Sequence, residues 1–531
     1  CLVLALTIVI GVPVTTVSLI PKPIEGEVTK LSHIDFSSQK EYTLKCDIVI
    51  PQDYVVDKFN CTLIGGGYKL IFGKGATLGE LNGKLSDLTI ESRGDTIFKS
   101  VSQSAVINNV TVNVNADIAT TEAKAFVALS NYGVIENVTV NVSGKLSALA
   151  ASSQVTEELT FGGIVLNNIY NKYDSSTQTF FDGIIRNCVV NYSQFSLVGE
   201  ASANAVFGGI AGFNNGCLQG CKVTGEIIAD TFDVVGICVV NNVLLSDNAN
   251  QADISQTSAD TGWNPIVSGI VLRNNNTLEN CQNTGKISAV SDSDQTDAQD
   301  DNKLTVSAAG IAYLNNGALE KCKNSAPITA VGKGDAYVGG IAAHSYSGIY
   351  NCLSSGDITV KAQTLYVGGI IGSSEVVSNG FYVYFGRVES CISNCKIDAV
   401  AIGDKPSYVG GIAGYVREEG FNVGNSTQYF GGCVINSYFV GELATEVSYF
   451  GNIVGVCGAT VYEKNSYTST SGVEYYNFDG NYYLDNSLKA FGATVIDDDN
   501  FAQVEDKGAM SATMEYIQNS EIYKSILKIF N

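Results

Sequence analysis

The sequence predicts an all-β solenoid, built from rungs of three short strands and finished by a short C-terminal capping helix. Three observations point to it. A segment reading GGIAGFNNGCLQGCKVTGEI (208–227) returns at 268–287, 309–328 and 339–358. Longer copies start at Gly368 and Gly410, an earlier one at Gly162 and a weak one at Gly451. Each copy is a small-Gly-Ile opening, an Asn/Gly turn, an apolar-x-x-Cys step, a second Gly turn and an apolar residue. Such pieces are too short for helices and bury little alone, so they are stabilised by stacking on the next copy. Composition agrees: charged residues are 16% of the chain against ~25% in ordinary soluble domains, while 55 Gly and only 7 Pro accompany abundant Val, Ile and Tyr. Third, AVINNVTVNVNADI (105–118) and YGVIENVTVNVSGKL (132–146) alternate Val with polar residues, one face in a core and one in water.

In chain order, 1–25 is an apolar run without charge until Lys22, broken by Gly11 and Pro13, and reads as the apolar region of a signal peptide whose basic start is missing. A lipoprotein Cys1, against which the hydrophobic run directly after it speaks, and an extended strand added to a neighbouring subunit are the other readings. Residues 26–100 form an N-terminal cap and the first rungs; Gly65-Gly66-Gly67 there marks a sharp turn and lacks the helix and Lys-Ser/Thr pair of a phosphate loop. The repeat domain is expected over 101–470, and a C-terminal cap over 471–531. In that cap SATMEYIQNSEIYKSILKIF (511–530) has apolar residues at helical spacing, and is expected to lie over the open end of the solenoid.

The repeat positions are Gly209-Ile210 with Cys221, Gly269-Ile270 with Cys281, Gly310-Ile311 with Cys322, Gly340-Ile341 with Cys352, Gly369-Ile370 with Cys391, and Gly411-Ile412 with Cys433. Gly-Ile openings are 60, 41, 30, 29 and 42 residues apart, and VGICVVNN (235–242) reads as an extra rung in the longest gap. Cys188 shares the Cys slot, which Val110 and Val138 fill in the earliest copies. A slot alternating between Cys and Val is interior, where Cys acts as a small hydrophobe. In-register strands place Cβ atoms ~4.8 Å apart, too far for the ~3.5–4.5 Å of a disulfide, so these thiols are expected to be free. Cys46 with Cys61 is the expected bridge.

The pattern VGGIAG–NNG–IxNCxxxGxI resembles the GLUG-motif repeat of large bacterial surface and secreted proteins and of adhesin-like proteins of other microbes. The closing stretch at 481–514 is similar to the ends of such arrays. The likeness covers about 59–514 and is tight over 208–412, with Ala326-Pro327 standing where a Gly turn is usual. It implies a right-handed parallel β-helix of the pectin lyase-like type in an extracellular protein.

Charge bears on partners. With 31 Lys+Arg and a net charge of −22, the chain lacks the basic surface that nucleic acid requires. No catalytic, cofactor-binding or metal-ligating residue is expected. There is no HExxH, GxSxG or Cys/His zinc spacing. Only two histidines occur: His33 before the repeats, and His344 in a stretch (AAHSYSG) read as a surface turn. The five arginines (Arg93, Arg186, Arg273, Arg387, Arg417) sit in no Asp-rich cluster, and the DD runs at Asp300-Asp301 and 497–499 lie outside the stacked strands. The acidic stretch 291–302 lacks the Gly and terminal Glu of a calcium loop. Tyr475, Tyr476, Tyr482 and Tyr483 read as aromatic packing at the cap ahead of a sugar platform, and the sequons at Asn60, Asn109, Asn137, Asn141, Asn191, Asn275 and Asn425 as a product of Asn richness. The expected protein is non-enzymatic, secreted or on the cell surface, structural or adhesin-like, with inserted loops (171–183, 246–265, 291–303, 373–386, 417–431) meeting host or microbial glycans or surface proteins. The alternatives are a carbohydrate-active β-helix enzyme or glycan-binding module, and a self-associating subunit of an extracellular filament.

Overall fold

The computed structural model describes residues 26–150, 158–169, 183–200, 203–258, 263–291, 305–379, 382–423, 426–458, 466–468, 474–484, 488–497, 500–502 and 509–530. The fold is all-β. Among the described residues, strands gather into sheets of 33, 15 and 10, in which neighbouring rungs pair in parallel, and two short helices follow near the C-terminus. The apolar faces of all three sheets converge on one continuous core, as in a parallel β-solenoid.

One rung shows how. Ala205–Gly208 lies in the ten-stranded sheet, Ala211–Asn214 in the fifteen-stranded sheet, and Cys217–Gln219 and Lys222–Asp230 in the largest. Each pairs with its counterpart one rung on: Phe207 with Val234, Ala211 with Cys238, Leu218 with Leu245, Val223 with Asn250. The expected extra rung is present as Asp233–Val235 and Cys238–Asn241. Further along, the last strand divides, so that Ala249–Ser258 pairs with both Gln282–Asn283 and Ile287–Ser291. A later rung therefore crosses three sheets in five segments, as over 306–331.

The Gly-Ile pair is a corner, not a strand. Gly209 and Ile210 join Ala205–Gly208 to Ala211–Asn214, and the Ile of every copy points into the core with no exposure. The Gly is needed for close approach: a Cβ on Gly236 or Gly269 would lie 2.6 Å from the Cγ of Asn250 or Asn283 on the facing sheet. A second corner precedes the Cys slot. There Asn187, Gly220, Asp247, Asn280, Lys321, Asn351, Ser390, Asn436 and Gly480 all adopt positive φ between 49° and 63°, which is why Asn so often precedes Cys in the repeat.

The slot itself is interior, as expected. Val110, Val138, Cys188, Cys221, Cys281, Cys322, Cys352 and Cys391 are buried, and Asn248, Ser437 and Asn481 continue the column. Cys433 does not belong to it. It pairs with Arg387, while Ser437 receives the Cys391 N–H; the insertion before Cys433 displaced the apparent match by four residues. Cys46 and Cys61 are not bridged either: both are free thiols, and the Cys46 S–H donates to the Thr29 carbonyl at 3.2 Å.

Asn richness has a structural cause. Asn131, Asn168, Asn214, Asn241, Asn274 and Asn315 are fully buried, and each donates Nδ2 to the next side chain at 2.9–3.0 Å, ending on Ser345. A buried amide left unpaired would cost about 1–3 kcal/mol, and stacking identical amides avoids that. The sequon residues Asn109 and Asn137 hold positive φ, and Asn141, Asn191 and Asn275 extend outer amide ladders. Asn425 lies outside the described residues.

Two expectations about insertions and the cap are corrected. Residues 246–265 are not a loop, because Ala249–Ser258 is a strand in register with Lys222–Asp230. The C-terminal segment forms two helices, α1 (Met514–Asn519) and α2 (Glu521–Ile529), capped by the hydroxyls of Thr513 and Ser520. They do not lie over the end of the solenoid. Ile517, Tyr523 and Ile526 pack on its flank, against Leu353, Ile392 and Tyr438. The outward column of the large sheet reads Lys222, Ala249, Gln282, Lys323 and then Leu353, Ile392, Tyr438, Tyr482, turning apolar where the helices cover it. The segment 1–25, the acidic residues 292–304 with Asp300-Asp301, and 170–182 of the first expected loop lie outside the described residues.

Candidate functional site: an aromatic groove beside stacked hairpins

The Gly-Ile corner is concave on its outer side, so outward side chains of two sheets meet across it. On the ten-stranded sheet, Tyr337, Tyr366, Tyr408 and Tyr449 occupy one register column. Their ring centroids are 4.5, 5.1 and 6.2 Å apart in succession. On the fifteen-stranded sheet, Leu314, His344, Ser373 and Tyr415 form the facing column. The columns touch: His344 lies 4.3 Å from Tyr337 and 5.5 Å from Tyr313, and Tyr415 lies 5.3 Å from Tyr408. Stacked rings hide their faces from solvent and present edges and hydroxyls. Burial pushes the Tyr415 phenol up to about 12 and those of Tyr337 and Tyr408 higher, so these hydroxyls remain donors at neutral pH.

One carboxylate anchors the polar part of the groove. Glu375 follows the strand Ile371–Ser374 and is only 8% exposed. Its Oε1 is 3.2 Å from His344 Nδ1, and its Oε2 accepts from Arg417 Nη1 at 3.0 Å. Burial pushes its pKa upward, but the His344 hydrogen bond and the charges of His344 and Arg417 outweigh that and hold it at about 2. Arg417 remains half exposed. At the other end of the same groove, Asp233 is buried and accepts from Trp263 Nε1 at 3.2 Å and the Ile266 N–H at 3.1 Å. Burial pushes this carboxyl up to about 8 despite those two bonds. Val206, Val235, Val239 and Leu272 pack between the sheets around it.

Two of the expected loops rise from this groove as antiparallel hairpins. Val376–Ser378 pairs with Val383–Phe385, and Glu418–Val423 with Ser426–Gly431. A third, Ser466–Thr468 with Glu474–Tyr476, follows one rung later. The first two leave from the end of a strand in the fifteen-stranded sheet and touch each other. Glu375 and Arg417 stand at the roots of these two, so their ion pair ties one hairpin to the next. Val377, Tyr382 and Tyr384 are exposed on the first.

Sequence reasoning placed His344 in a surface turn. It lies instead within the strand Ala342–Ser345, 16% exposed and facing Glu375. The Tyr column was missed although its signal is visible, as Tyr three residues before the corner in YVGGI (337–341, 366–370, 408–412) and YFGNI (449–453). Of the other tyrosines considered, Tyr482 stacks on Tyr438 at 5.5 Å within the helix-covered cluster and Tyr483 is buried, while the side chains of Tyr475 and Tyr476 lie outside the described residues. The repeat Gly, Ile and Cys residues build the shaft and do not line the groove. Among the described residues no group of three or more His, Cys, Asp and Glu side chains is placed to hold a metal ion, and no helix is long and apolar enough to cross a membrane. No protein-family model, curated protein or solved structure matches the chain.

Proposed function

We propose that this chain is a non-enzymatic, secreted or surface-displayed protein of adhesin-like type. In this reading it is a right-handed, three-faced β-helix built from GLUG-like repeats. The shaft holds a recognition face away from its attachment, and that face is the Tyr groove with the hairpins beside it. The observation that carries this reading is the Glu375 cluster. A buried carboxylate, a histidine, a half-exposed arginine and four phenols converge where two inserted hairpins are rooted, on an otherwise regular scaffold. Phenol edges and a guanidinium suit hydroxyl-bearing partners such as glycans, or polar loops of a surface protein. A carbohydrate-cleaving enzyme has less support. Asp233 and Glu375 differ in ionisation as an acid and base should, but they sit four rungs apart, about 19 Å at the strand spacing, beyond the ~5–9.5 Å of glycosidase pairs.

The test is adhesion of the purified chain to host or microbial cell surfaces, compared with Tyr366→Ala/Arg417→Ala. Loss of adhesion in a variant whose circular dichroism is unchanged supports the reading. Equal adhesion by the variant sinks it, and release of reducing ends from added polysaccharide would favour the enzyme.

A further inference from the structure

A second concave surface lies on the early rungs, beside Gly94, Gly144 and Gly225, which adopt φ of 94–100°, and beside a register shift at Ser143/Gly144. Two adjoining cavities, of about 480 and 580 Å³, share Arg93 and Asn115 in their walls. The lining of the first crosses four rungs as two polar columns, Glu91, Asn113, Asn141 and Asn191 beside Arg93, Asn115, Ser143 and Ser193. The first column is a directed chain of hydrogen bonds. Asn191 donates to Asn141 at 2.8 Å, Asn141 to Asn113 at 2.8 Å, and Asn113 to Glu91 at 3.1 Å, while Lys69 neutralises Glu91 at 2.8 Å. Each amide spends one N–H on this chain and has a second, so the cleft offers a row of donors one rung apart.

The cations here are out of keeping with the molecule. The chain carries 31 Lys+Arg against 53 Asp+Glu, yet Lys74, Arg93 and Lys124 line these two cavities and Lys69 pairs with Glu91, which lines the first. Lys69 and Lys124 pair with Glu91 and Asp95. Arg186, Arg387 and Arg417 likewise each pair with a glutamate. Arg93 is exposed and makes no hydrogen bond or ion pair among the described residues. An unpaired guanidinium beside a row of amide donors matches a carboxylate or sulfate held on a hydroxyl-rich chain. Neighbouring Asp95 and Asp117 oppose a polyphosphate backbone.

We infer that this cleft is a binding site for an anionic glycan, with its carboxylate or sulfate on Arg93 and its hydroxyls along the Asn113–Asn141–Asn191 row. The four rungs span about 14 Å at the strand spacing, room for a short oligosaccharide. The site is separate from the Tyr groove and does not depend on what that groove binds.

Calorimetric titration of the full chain with three short oligosaccharides tests it: a uronic-acid oligomer, a sulfated oligomer and a neutral one of matching backbone. At least one anionic oligomer is expected to bind about tenfold or more tightly than the neutral one, with the better of the two identifying the anion, and to weaken with added salt. Arg93→Ala should lower that affinity about tenfold, Arg93→Lys less, because lysine keeps the charge without the fork. Lys396→Ala, which removes an exposed cation that lines neither surface, should leave it unchanged, which separates a specific contact from the general loss of a positive charge. Equal binding of the neutral oligomer, no binding of either anionic one, or an Arg93→Ala variant with full affinity overturns the inference.

Discussion

Asp233 and Glu375 show how one external groove sets two carboxyls in opposite directions. Asp233 is buried beside Val206 in its register column and meets two neutral donors, Trp263 and the Ile266 N–H. Hydrogen bonding there does not offset desolvation, and its folded value of about 8 stands above the ordinary 3.8. A raised acid contributes stability below its unfolded value and loses it as pH rises through the folded one. The melting temperature is therefore expected to fall as pH is raised from about 4 to 8, and Asp233→Asn, which keeps an oxygen for both donors, should remove that slope. A variant with the same slope as the parent would place the titration elsewhere. Position within the rung, and not residue type, separates this acid from Glu375.

At the scale of elements, the hairpins depend on their roots. Glu375 is held at about 2 against an ordinary 4.5 by His344 and Arg417. Its contribution is present above about 4.5 and is lost as pH falls toward 2. At about 1.4 kcal/mol per tenfold change in ionisation, that amounts to about 3 kcal/mol. Amide protection in Val376–Ser378 and Glu418–Val423, measured as exchange relative to the intrinsic rate at each pH, should fall over that window in the parent chain. In Glu375→Gln it should be low at neutral pH and unchanged by acid; protection equal to the parent's at neutral pH would show that the ion pair does not hold the hairpins. The helices follow a related rule. They settle on the flank because Leu353, Ile392, Tyr438 and Tyr482 turn an outward column apolar, and covering apolar surface is worth about 25 cal/mol per Å².

For the whole molecule, one continuous cluster of buried side chains runs along the shaft among the described residues. Cys188, Cys221, Cys281, Cys322, Cys352 and Cys391 are fully or almost fully buried, and burial pushes thiols such as Cys221 and Cys352 well above their ordinary value. Neutral, enclosed thiols are poor nucleophiles. Alkylation of the native chain should spare all six while modifying half-buried Cys46, and denaturation should expose them together; fast labelling of any one would mean that the shaft opens locally.

The sequence alone determined the rung. A Gly at one corner, an Asn-type residue before the Cys slot and an apolar Ile at each turn are local demands, set by close approach and by positive φ, and they recur in every copy because each rung meets the same neighbours. Most of the scaffold was legible for that reason. The tertiary structure decided what the outer columns do. His344 and Glu375 are 31 residues apart and Glu375 and Arg417 are 42 apart, so their meeting depends on register between rungs of unequal length. Cys433 shows the same dependence, since a hairpin inserted within the rung shifted the apparent match. The concavity that brings two sheets' outward tyrosines together arises from the corner's angle, which spacing along the chain does not encode.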